Sequence, residues 1–123
     1  VGQVVAVVGA SRDRGKFGNK ALRAFKDAGH TVIPINPHES EVEGVRSYAS
    51  VLDVPGPIDM ATVYVQPETA LRLLDEFARK QIPEIWLNPG ADDDTVLAEA
   101  KRRHLNVIAA CSIMGVGKRP SEY

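Results

Sequence analysis

A single cysteine among 123 residues leaves no partner for an intramolecular disulfide and no basis for a multi-cysteine zinc site. A reducing, cytoplasmic setting is therefore expected. No apolar run approaches the roughly 18 residues of a membrane span, and no signal-peptide pattern opens the sequence, so no membrane association is expected. Neither sign of charge is in excess. Fifteen Lys and Arg against sixteen Asp and Glu leave a net charge of −1, without the strongly basic face of a general nucleic-acid binder. Only three histidines occur, and none has an evident carboxylate or nucleophile partner in the sequence. His30 belongs at the start of a strand, His38 beyond the end of it, and His104 at a helix terminus, where a cation suits the dipole. These absences leave no catalytic constellation, and a non-catalytic role is expected.

What is present is an ordinary globular composition, 44% apolar and 25% charged. The length suits one domain, residues 1–123, burying roughly two thirds of its unfolded surface. Its most informative stretch is Val4 to Asn19, VVAVVGASRDRGKFGN. Five apolar residues, Val4 to Val8, run without a polar break, as in a parallel strand covered on both faces. They lead into Gly9, then a basic loop carrying Arg12, Arg14 and Lys16, then Gly18-Asn19 opening a helical pattern. A strand that turns through glycine into a helix presents free backbone N–H groups and the positive end of a helix dipole. The loop is read as an anion cradle.

The remaining order is regular. The apolar face of Ala21, Leu22, Ala24, Phe25 and Ala28 predicts a helix over 18–28, and TVIPI a second strand over 31–35. Pro34 is awkward there, since a central strand cannot lose a ladder donor cheaply. Residues 44–48 suggest a short edge strand and 50–54 a helical turn, while strands are predicted over 59–65, 84–87 and 106–110. Between them fall helices over 67–80, with Pro67 at its first position, and 95–104, after the acidic triplet Asp92-Asp93-Asp94. The triplet is read as cap and dipole chemistry rather than a metal site. Glu68/Arg72, Asp75/Arg79 and Glu76/Lys80 have i,i+4 spacing and are read as a solvated face. The tail 112–123 is left unassigned.

This alternation predicts a Rossmann-like doubly wound α/β domain, a mostly parallel sheet of about five strands with helices on both faces. The first strand should be central, so the order reverses between it and the third main strand. Ligands occupy such a switch point. The loops meeting there are 9–18, Asn36-Pro37, Val65–Pro67 and Asn88–Gly90.

Two phosphate motifs nearly fit. A Walker loop counted back from Gly15-Lys16 has Ala10 at its first glycine and Phe17 where a metal-binding hydroxyl belongs, so nucleotide hydrolysis is not expected. A dinucleotide fingerprint requires a second glycine where Ser11 stands, and an acid at the end of strand two, where Asn36 and Pro37 stand. An NAD site is disfavoured.

Taken in order, Gly9-x-Ser11, Lys16-x-Gly18, Ile33-Pro34-Ile35-Asn36-Pro37, Gly44, Pro57-x-Asp59, Val65-x-Pro67, Trp86-Leu87 and Cys111 resemble the small stand-alone CoA-binding proteins of bacteria and archaea. Their fold is related to the nucleotide-binding domain of the succinyl-CoA synthetase α subunit. The chain departs from that pattern at Asn88, at Ala109-Ala110 and in the tail. The resemblance implies that Gly9, Ser11, Lys16, Gly18 and Asn19 hold a pyrophosphate. It places Asn36 and Pro37 beside the adenosine, and Val65 and Pro67 against adenine and pantetheine. Arg12, Arg14 and Lys16 match the roughly four negative charges of coenzyme A by charge-assisted bonding. Three readings stand: a module binding coenzyme A or an acyl-CoA, alone, with a partner protein or as a homo-oligomer; an NAD(H)-dependent redox sensor or enzyme fragment; and an interaction domain with no ligand.

Overall fold

The computed structural model describes residues 2–123. β1 (Val4–Val8) is buried on both sides because its alternate side chains enter two separate cores. Val5 and Val7 pack with α1 (Phe17–Asp27), whereas Ala6 and Val8 pack with α2 (Pro67–Lys80) and α3 (Asp94–Arg102) on the other face. Two covered faces explain the unbroken apolar run.

The remaining main strands are β2 (Thr31–Ile35), β5 (Met60–Val63), β6 (Ile85–Leu87) and β7 (Val107–Ala109). All pair in parallel, in the order β2-β1-β5-β6-β7. The expected Rossmann-like α/β fold is therefore present, with β1 between β2 and β5. Pro34 is tolerated because its carbonyl, and with it the position of its missing N–H, faces outward. That carbonyl accepts from Tyr48 N–H at 3.1 Å, on the side away from β1.

Local boundaries differ where side chains intervene. The expected strand 59–65 is shorter, Met60–Val63, and just before it the Asp59 carboxylate accepts from Val4 N–H at 2.8 Å. Tyr64 donates one more ladder bond, to Val8 O, before the chain turns into α2. The segment after β2 forms an antiparallel hairpin, β3 (Glu41–Val42) with β4 (Val45–Arg46), and only Tyr48 bridges to Ile35. The predicted turn at 50–54 is a 3₁₀ turn, Val51–Asp53, capped by the Ser50 hydroxyl. Asp93 caps α3, accepting from Val96 N–H at 2.9 Å, as the acidic triplet suggested. The tail is ordered. Ile113 of α4 (Ser112–Gly115) is fully buried beside α1, and the Tyr123 carbonyl accepts from Arg23 at 3.0 Å.

Of the three i,i+4 pairs expected on α2, only Asp75–Arg79 forms, at 3.7 Å. Glu76 accepts from the Ser50 hydroxyl instead, and Lys80 donates to the Val54 carbonyl. Those two side chains fasten the 3₁₀ turn to the helix. Arg72 turns elsewhere, as described below.

Candidate functional site

The carboxyl ends of β1 and β5 separate the two directions in which the chain winds, and Gly9 forms the floor between them. Its φ is +91°, and a Cβ there would lie 2.8 Å from the Tyr64 carbonyl oxygen. Gly18 solves a second problem of space. A Cβ on Gly18 would overlap the Gly9 carbonyl oxygen and stand 3.1 Å from its carbonyl carbon. The start of α1 is thus seated directly on the strand-to-loop turn, which requires a residue without a side chain.

The loop between them is held by its own bonds. Ser11 Oγ accepts from Asp13 N–H at 3.0 Å, Asp13 Oδ1 from Gly15 N–H at 2.9 Å, and the Asp13 carbonyl from Lys16 N–H at 3.1 Å. Asn19 is fully buried. Its amide donates to the Ser11 carbonyl at 2.8 Å and to Glu43 at 3.1 Å, and its oxygen accepts from Arg23 at 2.7 Å. Ser11 and Asn19 therefore shape the loop from behind. Neither α1 nor α2 has a side-chain cap at its start, in contrast to α3. Both open starts border the cleft, leaving amide donors and two positive dipole ends there.

Three adjoining cavities line this edge of the sheet. The first, of about 540 Å³, has Asn36 and Pro37 on one wall and Gln66, Thr69, Arg72 and Glu76 on the other. The second, about 230 Å³, is bordered by Lys16, Phe17, Gly18 and Gly90. Gly9, Tyr64, Val65 and Gln66 belong to both. The third, about 220 Å³, is mainly apolar and is formed by Phe17, Tyr64, Asn88, Pro89, Cys111 and Pro120. Phe17, Tyr64 and Pro89 join it to the second. Phe17 is 53% exposed, a large apolar side chain left open at the mouth.

A buried polar network supports the third cavity. The Asn88 amide donates to Thr62 Oγ1 at 2.7 Å, and its oxygen accepts from Ser112 N–H at 2.8 Å. Ser112 Oγ lies 2.6 Å from Thr62 Oγ1 and 2.9 Å from the Tyr64 hydroxyl. Burial raises the Tyr64 hydroxyl above the usual phenol pKa, against the opposing hydrogen bonds of Ser112 and Thr62. Tyr64 is thus held as a neutral hydroxyl.

Of the residues expected from sequence, the structure brings Gly9, Lys16, Gly18, Asn36, Pro37 and Val65 to the cleft. Pro67 opens α2 immediately behind it. Arg12 and Arg14 lie outside the three cavities. They pair instead with Glu39 at 3.5 Å and Glu43 at 3.6 Å, and both guanidinium groups are largely exposed. Asn36 is also committed internally, donating to the Ala10 carbonyl at 2.7 Å and accepting from His38 N–H at 2.8 Å. It fixes the loop against β2 and keeps one of its two amide hydrogens without a protein partner among the described residues. Sequence reasoning missed Gln66, Thr69, Arg72 and Glu76, which form a second stripe on α2 beside the buried stripe of Ala70, Leu74 and Phe77. Their spacing of three and four residues was the available signal.

A family model described as the CoA binding domain matches residues 3–117. The chain belongs to that family. The chain is 30% identical over 104 residues to an uncharacterized protein of Bacillus subtilis, YneT, covering 85% of the chain and 77% of YneT. It is 37% identical over 78 residues to an ADP-forming acetate–CoA ligase of Methanocaldococcus jannaschii, covering 63% of the chain and 11% of the ligase. A conserved hypothetical protein from Pyrococcus furiosus has the same fold, with TM-score 0.84 at 25% identity over 94% of this chain and 99% of that one. The dinucleotide-forming acetyl-coenzyme A synthetase 1 of Ca. Korarchaeum cryptofilum, in complex with phosphate and ADP, matches with TM-score 0.77 at 27% identity. That match covers 88% of the CoA-binding domain and 25% of the synthetase chain. The domain thus spans most of the first and third relatives and a small part of the other two.

Proposed function

We propose that the domain binds coenzyme A or an acyl-CoA along the cleft and performs no chemistry on it. The observation that carries this reading is the sequence of three joined cavities with different character. A wide chamber containing one arginine adjoins a glycine- and lysine-lined chamber at two open helix starts, which adjoins an apolar chamber. Coenzyme A has the same order of parts: a phosphorylated nucleoside, a pyrophosphate, and a largely uncharged arm ending in sulfur. The membership in a CoA binding domain family supports the same ligand. Two of the three histidines lie away from the cleft. His30 Nδ1 accepts from Gln3 N–H at the opposite edge of the sheet, and His104 follows the end of α3.

The placement of the arm is tested through Cys111, a free thiol on the wall of the apolar chamber. Saturating acetyl-coenzyme A, whose sulfur is blocked and consumes no reagent, is expected to slow alkylation of Cys111 several-fold. Saturating ADP, which lacks the arm, should leave the rate near that of the unliganded protein. Intact mass against time gives both rates. Equal protection by ADP, or no protection by bound acetyl-coenzyme A, would refute this placement of the arm.

A further inference from the structure

We infer that Arg72, on the cleft face of α2, is the residue that recognises the ribose phosphate of the ligand and so determines specificity for coenzyme A over adenosine nucleotides that lack that ribose phosphate. The inference rests on the coenzyme A reading above. A ligand with its pyrophosphate at Lys16 and Gly18 has two joined chambers for its two ends. The apolar one, reached past Phe17 and Pro89, suits the arm, which leaves the nucleoside to the wide chamber reached past Val65 and Gln66. Arg72 is the one cation on the walls of that chamber.

Its charge is also available. Among the described residues Arg72 has no salt bridge, and its only hydrogen bond is a long one, 3.4 Å, to Thr69 Oγ1. The one carboxylate of the same chamber, Glu76, is drawn to the Ser50 hydroxyl rather than to Arg72. Arg12 and Arg14, by contrast, are already paired with Glu39 and Glu43 and stand outside the chamber. A guanidinium offers a planar set of donors that can grip a phosphate through two oxygens, while Lys offers a single point charge. Arg72 is exposed in the unliganded domain, so a substitution there removes no core packing.

The test compares coenzyme A with dephospho-coenzyme A by calorimetry in the wild type, Arg72→Gln and Arg72→Lys. Arg79→Gln, on the same helix, is the control for a general loss of positive charge. In the wild type, coenzyme A should bind about tenfold or more tightly than dephospho-coenzyme A, as expected for a charge-assisted contact. Arg72→Gln should abolish that difference while leaving dephospho-coenzyme A within about twofold, and Arg72→Lys should retain part of it. Arg79→Gln should preserve it. An unchanged ratio in Arg72→Gln, or a ratio lost in Arg12→Gln or Arg14→Gln instead, would overturn the assignment. Equal wild-type affinities would overturn it while leaving the coenzyme A reading intact. Failure of both ligands to bind the wild type would overturn both.

Discussion

Gly18→Ala is expected to lower the unfolding midpoint by roughly 6–10 °C and to remove ligand-induced stabilisation. An added methyl at this position meets the Gly9 carbonyl group and Ala10 Cα, which are backbone atoms and cannot rotate away. Such overpacking costs about 3 kcal/mol. The opposing gain in helix propensity is at most about 1 kcal/mol, and smaller at the second residue of a helix. The clash wins by about 2 kcal/mol, which sets the expected shift for a domain of this size. The displaced helix start would also carry the Gly18 amide away from the cleft. Gly15→Ala supplies the comparison, because its Cβ would meet only the flexible Asp13 Oδ1, at 3.3 Å. A midpoint for Gly18→Ala that matches Gly15→Ala would show that α1 is not seated on Gly9.

Lys16→Ala should behave in the opposite way, weakening coenzyme A about 10- to 150-fold with almost no change in stability. Lys16 is exposed, makes no side-chain cap to α1, and has no salt bridge among the described residues. Folding therefore gains little from its ammonium group. A ligand phosphate gains a charge-assisted contact of about 1.5–3 kcal/mol, which converts to that range of affinity. The loss should shrink at high salt, since an exposed cation is screened. Calorimetry at two salt concentrations, with thermal unfolding of the unliganded variant, separates the two effects. Unchanged affinity would take Lys16 out of the site.

These two residues were legible in the sequence because their constraints are local. A glycine at a strand end and another at a helix start carry the backbone geometry with them, and the lysine between them lies in the same loop. The strand order was legible for a related reason: β1 reads as a continuous apolar run only if both faces are covered. Arg12 and Arg14 were not legible. Their loop position suggested phosphate, but their partners, Glu39 and Glu43, come from an irregular segment and a hairpin that periodicity does not resolve. The spacing of Arg72 from Glu68 places it on a solvated face, and it is exposed; that it also borders the cleft emerges only once the helix is set beside Gly9 and Val65. Asn36 lines the cleft, and one of its amide hydrogens goes to the Ala10 carbonyl, a bond between two loops that sequence alone does not predict.

The proposed ligand of the cleft is coenzyme A rather than a nicotinamide dinucleotide. Both ligands contain adenosine and pyrophosphate, so Gly9 and Gly18 do not distinguish them. The end of β2 does: Asn36 and Pro37 provide no carboxylate to accept the ribose hydroxyls. Across the chamber, the charge of Arg72 favours a ribose that carries a phosphate. Calorimetric titration of the wild-type domain with each ligand, in the same buffer, measures the difference directly. Coenzyme A is predicted to bind at least about tenfold more tightly than NAD, a gap of about 1.4 kcal/mol. Equal or tighter binding of NAD would contradict the account.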